Sequence, residues 1–202
     1  MLGSPFKNEL ISELPKKEKK IKQRNRYFNY IVIIDDENIY LNQGPDDAEI
    51  NQRKSLYYYP YYDQIRLELT KLQRTFKHVI FFDAHSIRQH VPGIRAEKFP
   101  DLILGDVDGQ SADSAIIQTA LDGLSKAKLN LDHNHPFKGG NLTRTFGKPD
   151  KNIHGLQLEM CKNVYMDDLE TSYDETRAKH IQATLLSTFE SLIDTLTKMN
   201  QS

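Results

Sequence analysis

Apolar residues along this chain recur at two spacings, and the switches between them mark out strands and helices. Tyr30 to Ile34 is a β-branched run closed by Asp35 and Asp36, the pattern of a short buried strand. Asn42 to Asp47, with Gly44 and Pro45 inside it, predicts a turn. Tyr58, Tyr62, Ile65, Leu69, Leu72 and Phe76 then recur every three or four positions. This spacing predicts an amphipathic helix with Pro60 in its first turn and Tyr57, Tyr58, Tyr59, Tyr61 and Tyr62 as packing residues. Val79 to Phe82 predicts a second strand that ends in Asp83-Ala84-His85-Ser86. Ala112, Ile116, Ile117, Ala120, Leu121 and Leu124 form a second helical stripe, with Ser111 or Asp113 as its cap. Strands follow near Leu129 to Asp132 and from Ile153 to Glu159, and Ile181, Leu185, Leu186, Phe189, Leu192, Ile193, Leu196 and Met199 predict a long C-terminal helix. The alternation predicts an α/β fold of three layers, a mainly parallel mixed sheet flanked by helices.

Composition narrows the class. The chain has 202 residues, 38% of them hydrophobic, with 27 Lys and Arg against 28 Asp and Glu. A net charge of −1 excludes a general polyanion-binding surface. Residues 1–30 differ from the rest, with eight basic side chains against three acidic ones, and are expected to form a solvated basic arm ahead of a single domain over 31–202. No motif in that arm points to nucleic acid. One cysteine, Cys161, makes no internal disulfide and suits a reducing compartment. No apolar run is long enough to span a membrane and no secretory leader is legible, so the cytoplasm is the expected location.

Chemistry in open α/β sheets gathers at the carboxyl ends of strands. Asp83 and His85 sit two apart at such an end and so share a face. His85 is a candidate metal ligand with Asp83 as the carboxylate that orients it, and the plainer reading is a strand-end histidine bonded to a loop. Gln157 and Glu159 alternate with Leu156, Leu158 and Met160, so one strand face presents an amide and a carboxylate. Glu159 facing a cleft would serve as a general base, while the same residue on an open strand face would only meet water. Between these places Asn134 to Pro149 contains paired glycines, Lys138 and Arg144. Close backbone approach and a planar guanidinium fork suit a substrate carboxylate, although most glycine-rich loops are only turns. Asp106, Asp108 and Asp113 do not have the spacing of a calcium loop, and Cys161 reads as an inert thiol.

Taken in order, these segments resemble the N-formylglutamate amidohydrolase family. The resemblance is carried by Asp83-Ala84-His85-Ser86-Ile87-Arg88, Leu102-Ile103-Leu104-Gly105-Asp106 with Gly109-Gln110-Ser111, Pro136-Phe137-Lys138-Gly139-Gly140 with Arg144, Phe146-Gly147-Lys148-Pro149, His154-Gly155-Leu156-Gln157-Leu158-Glu159 and Tyr165-Met166-Asp167. Tyr40-Leu41-Asn42 and Pro45-Asp46-Asp47 resemble an earlier element, so the likeness runs from about residue 38 to 170. It implies a fold similar to the zinc carboxypeptidases and hydrolysis of N-formyl-L-glutamate to formate and glutamate, in histidine breakdown. It further implies Zn2+ as cofactor, His85 as a zinc ligand, Asp83 behind it, and Glu159 as base and acid. Arg144 and Arg88 would hold the glutamyl carboxylates, with Asn134 and Lys138 as further donors to a small N-acyl amino acid.

The front of the chain departs from that pattern. Family members carry an N-terminal strand with a His-Ser-Gly-like motif and a nearby acidic residue, which supply further zinc ligands, whereas the first histidine here is His78. The fold is therefore expected to be incomplete at its N-terminus and hydrolysis to be weakened or lost, leaving a carboxylate-binding protein. The alternative is that Asp35, Asp36 or Glu37 replaces the missing ligands.

Overall fold

The structure is a computed structural model that describes residues 44–201 in full and the backbone of residues 33–34 and 37–38. The basic stretch 1–30, Asp35, Asp36 and Tyr40-Leu41-Asn42 lie outside the described residues, as does the side chain of Glu37. The chain divides into two units, Met1–Glu68 and Leu69–Ser202.

In the first unit, β1 (Ile33–Ile34) pairs antiparallel with β2 (Glu37–Asn38). Helix α1 (Asp47–Arg53) starts at Asp46, whose carboxylate accepts the Glu49 backbone N–H at 2.8 Å. It continues through a π turn, Lys54–Tyr58, into α2 (Tyr59–Gln73). The helical run thus begins well before the apolar stripe, and Pro60 sits in the first turn of α2 although helical turns precede it. The wide turn explains how: the Tyr59 N–H reaches back to the Lys54 carbonyl, loosening the ladder where proline has no N–H to give. Tyr62 is buried and stacks on Tyr58 at 4.2 Å, but Tyr57, Tyr59 and Tyr61 are exposed, so only part of the tyrosine cluster packs.

The second unit holds β3 (Val79–Ile87), β4 (Leu102–Gly105), α3 (Ser114–Ser125), β5 (Leu131–His133), α4 (Asn141–Phe146), β6 (Ile153–Cys161) and α5 (Glu175–Gln201). The sheet order is β3-β6-β4-β5. β3 runs parallel to β6 and β4 to β5, while β4 and β6 are antiparallel, a mixed sheet with parallel pairs in the majority. Adjacent residues on β3 show that helices cover both faces. Phe81 meets Phe146 of α4 at 5.4 Å, and Phe82 meets Phe189 of α5 at 5.0 Å. Leu102, Leu104, Leu156 and Leu158 share the α5 side and join Ile116, Ala120 and Leu124 of α3 and Ile181 and Leu192 of α5 in one core.

Asp113 is the cap of α3, its carboxylate accepting the Ala115 N–H at 2.8 Å. In this unit two elements are absent from the sequence pattern: β4, whose four residues are too few to show a period, and α4, a helix of six inside the glycine-rich segment. The stripe of α5 is broader than its buried face, since Leu186 and Ile193 remain more than half exposed. No helix among the described residues is long and apolar enough to cross a membrane.

Candidate active site

Strand register assembles the site. In the parallel β3–β6 pair Asp83 lies opposite Gln157 and His85 opposite Glu159, so all four side chains share the α4 face. Ile103 of β4 lies opposite Glu159 and Asp132 of β5 opposite Ile103, extending the row across the sheet. The residues expected at two separate strand ends are thus neighbours. β3 runs on through His85 to Ile87, so the pair lies within the strand and not in a loop after it.

His85 Nε2 is 2.9 Å from Asp83 Oδ1; His85 is exposed and Asp83 nearly covered. This arrangement leaves Nδ1 as the nitrogen for a metal or substrate. Glu159 is only 9% exposed. Burial pushes its carboxyl above the ordinary glutamate value, against smaller downward pulls from His85 and the Gln157 amide, with Asp83 adding to the rise. Gln157 is fixed at both ends: its Oε1 accepts the Gly140 N–H, and its Nε2 donates to Glu159 Oε2 at 3.4 Å. The amide therefore ties the glycine-rich segment to the carboxylate.

That segment approaches as closely as backbone allows. A Cβ on Gly105 would lie 2.6 Å from the Gly139 nitrogen, and Gly139 itself has φ +118°, a conformation other residues rarely adopt. Gly140 then starts α4, which carries Arg144. Arg144 Nε donates to the Gly139 carbonyl at 3.1 Å, leaving its terminal nitrogens for a ligand.

The other expected substrate donors are engaged elsewhere. Asn134 accepts the backbone N–H of Asp106 at 3.0 Å and donates to its Oδ1 at 2.8 Å. Lys138 pairs with Asp108 at 2.9 Å, and Arg88 with Glu170 at 3.2 Å. Asp106, fully buried, also takes the Gly109 N–H at 2.7 Å and His133 Nε2 at 2.5 Å. It is the hub of the loop wall, a role that neither the calcium-loop comparison nor helix capping suggested. The visible signal was an acidic residue directly after an apolar run, the same rule that singled out Asp83.

Among the described residues no set of three His, Cys, Asp or Glu side chains is placed to hold a metal ion. His85 with Asp83 behind it matches one arm of a zinc site, which takes about three protein ligands. Asp35 and Asp36, the candidate replacements, lie outside the described residues.

A layered α/β sheet thus places an oriented imidazole and a buried glutamate on one face, with a glycine-rich segment and an arginine against it. Residues 15–166 match the N-formylglutamate amidohydrolase family, reaching well ahead of the first legible motif. The chain belongs to that family. It is 36% identical over 137 residues to the N-formylglutamate deformylases of Pseudomonas putida and Pseudomonas aeruginosa, 66% of this chain and 51% of each relative. The chain thus spans about half the length of the curated relatives it matches. The structure of an N-formylglutamate amidohydrolase from Ralstonia eutropha has the same fold, with a TM-score of 0.64, 22% identity, and coverage of 75% of this chain and 55% of the other. A structure from Agrobacterium tumefaciens follows at a TM-score of 0.56 and 19% identity, covering 75% of this chain and 56% of the other.

Proposed function

We propose that this chain takes part in hydrolysing N-formyl-L-glutamate to formate and L-glutamate, with Glu159 as the base and then the acid. The observation that carries the reading is the row of His85 and Glu159, opposite each other on one sheet face, with the carboxylate buried and its proton affinity raised. A carboxylate of this kind takes a proton from the attacking water at Oε1 or Oε2 and returns it to the departing amine nitrogen. Gln157 keeps Glu159 in position through this exchange. Asp83 holds the His85 ring so that Nδ1 faces the reacting group, and Arg144 takes a carboxylate of the substrate. Zinc held by His85, together with ligands beyond the described residues, would supply Lewis acidity toward the formyl carbonyl. The same reading gives the sheet the zinc-carboxypeptidase arrangement and sets the reaction in cytoplasmic histidine breakdown.

A second reading rests on the single metal-binding arm among the described residues. Under it the chain binds a carboxylate ligand through Arg144 without turning it over. Formate release from N-formyl-L-glutamate, measured after metal removal and zinc addition with Glu159→Gln as control, separates the two. Zinc-dependent turnover lost in the variant supports hydrolysis. A melting-temperature shift with N-formyl-L-glutamate and no formate supports the second reading.

A further inference from the structure

N-formyl-L-glutamate carries two carboxylates, and the family resemblance assigns them to Arg144 and Arg88. The structure treats these arginines differently. Arg88 Nε lies 3.2 Å from Glu170 Oε2, and the second oxygen of Glu170 takes the Gln89 N–H at 2.6 Å. That pairing sets the charge of Arg88 against a nearly covered carboxylate, which closes the segment after β3, whereas the Arg144 Nε meets only a neutral carbonyl.

Arg95, in the same segment and outside every motif, has the opposite character. Its side chain is 23% exposed, and its Nη1 is shielded from solvent with no hydrogen-bond partner. Nε lies 3.5 Å from Glu97, whose carboxylate is 75% exposed and well solvated, a weak pairing. A covered guanidinium N–H without an acceptor is costly, and an apolar side chain of similar length would fill the place at less expense. What distinguishes arginine from such a filler is its planar fork for a carboxylate.

Its surroundings connect it to the site. The guanidinium lies 5.5 Å over the Phe99 ring, and Phe99 stacks on Phe137 at 5.2 Å. Phe137 leads directly into Lys138-Gly139-Gly140, whose backbone holds Gln157 and the Nε of Arg144. On the other side, the Cys161 N–H donates to the Asp101 carbonyl at 2.9 Å and its Sγ to Pro100 O at 3.0 Å. Cys161 is two residues beyond Glu159 on the same face, and its Sγ lies 3.9 Å from the Phe99 carbonyl, so the Phe99 end of this wall is tied to the strand that carries Glu159.

We propose that Arg95, and not Arg88, is the second carboxylate receptor, working with Arg144 so that a dicarboxylic N-acyl amino acid is held at both ends. The proposal rests on the site reading above, and the test is arranged to tell the two apart. The full chain carrying Glu159→Gln is titrated calorimetrically with N-formyl-L-glutamate, with N-formyl-L-glutamine, which lacks the side-chain carboxylate, and with 4-formamidobutanoate, which lacks the α-carboxylate. Adding Arg95→Met is expected to weaken N-formyl-L-glutamate by about ten- to a hundredfold, as loss of a charge-assisted pair does. It should leave unchanged the one monocarboxylate that already lacks the group Arg95 holds. Arg88→Met should change all three by less than about twofold. The melting temperature of Arg95→Met should equal or exceed that of its parent, which a residue kept for packing would not allow. Arg95→Lys, which retains stem and charge but not the fork, should show the same ligand pattern in weaker form. Equal weakening of all three ligands, no weakening, or a lowered melting temperature in both Arg95 variants overturns the proposal. If the Glu159→Gln parent itself fails to bind N-formyl-L-glutamate, the site reading falls and this proposal with it. If the parent binds and Arg95→Met is silent, only this proposal falls.

Discussion

Asp83 Oδ1 lies 2.9 Å from His85 Nε2, and the two meet because side chains two apart on a strand point the same way. A carboxylate on one imidazole nitrogen fixes the tautomer and raises the basicity of the other. Asp83→Ala should therefore weaken zinc binding by about 10- to 100-fold, the usual cost of removing such a partner. Competition titration of the metal-free chain measures it. An unchanged affinity would show that His85 binds no metal through this arrangement.

Glu159 sets activity against stability. Its carboxyl takes up a proton more readily in the folded chain than in the unfolded one, so the folded state binds more protons between the ordinary glutamate value and the raised one. The stabilising contribution is complete below the unfolded value and is lost as pH rises through the folded one. At neutral pH the buried charge is a liability, and Glu159→Gln should raise the melting temperature of the metal-free protein. The expected gain is on the order of 1 kcal/mol, or about 2–4 °C for a chain of this size. The same substitution should abolish formate release. A melting temperature that falls at pH 7 and does not recover at pH 4 would contradict the burial argument.

How much of this was legible in the sequence depends on local period. Asp83, His85, Gln157 and Glu159 were placed on their faces correctly because strand alternation is a local property. Their mutual approach was not visible, because it depends on β3 pairing with β6 across a long stretch of intervening chain. The α/β class and the helices on both faces were readable from alternating periods. β4 was not, since a four-residue strand shows no period, and α4 was hidden because its start at Gly140 depends on contact with Gln157. Pro60 marked the first turn of α2, but not the helical run ahead of it, which a π turn joins on. Arg88 came from the family resemblance and Lys138 from its place in the glycine-rich segment, and neither ground reveals that the fold pairs them with Glu170 and Asp108.

Cys161 should be chemically silent in the folded chain. It is buried and donates its S–H to Pro100 O at 3.0 Å. Burial first, and then the charges of Asp101, Glu170 and Glu159, push its thiol up to about 12. Thiolate is the reactive form, so iodoacetamide at pH 8 should leave the native protein unmodified while labelling it fully in denaturant. Native labelling within minutes, read by intact mass, would mean that the strand end carrying Cys161 opens readily.

His154 predicts where acid begins to unfold the protein. It is 1% exposed, and its Nδ1 accepts the Asp113 backbone N–H at 3.1 Å, so its proton resides on Nε2, which meets His78 Nδ1 at 3.1 Å. The rings stack at 5.4 Å, and the His78 backbone is held by Asn200 of α5, its N–H donating to the amide oxygen at 2.7 Å. Burial is the main force lowering the proton affinity of His154, with His78 adding to it and Asp113 opposing. The unfolded chain therefore binds more protons than the folded one between the lowered value and the ordinary histidine value near about 6.5. Stability from this residue is complete above that upper limit and is lost as pH falls through the window. A second proton on His154 would also set two donors, the Asp113 N–H and a new Nδ1–H, against each other. Urea denaturation from pH 8 to 5 should show stability falling below about pH 6.5. In His154→Gln the fall should be shallower, with lower stability at pH 8, where the variant loses the stacked pair. An unaltered slope in the variant would assign the acid limb to other groups.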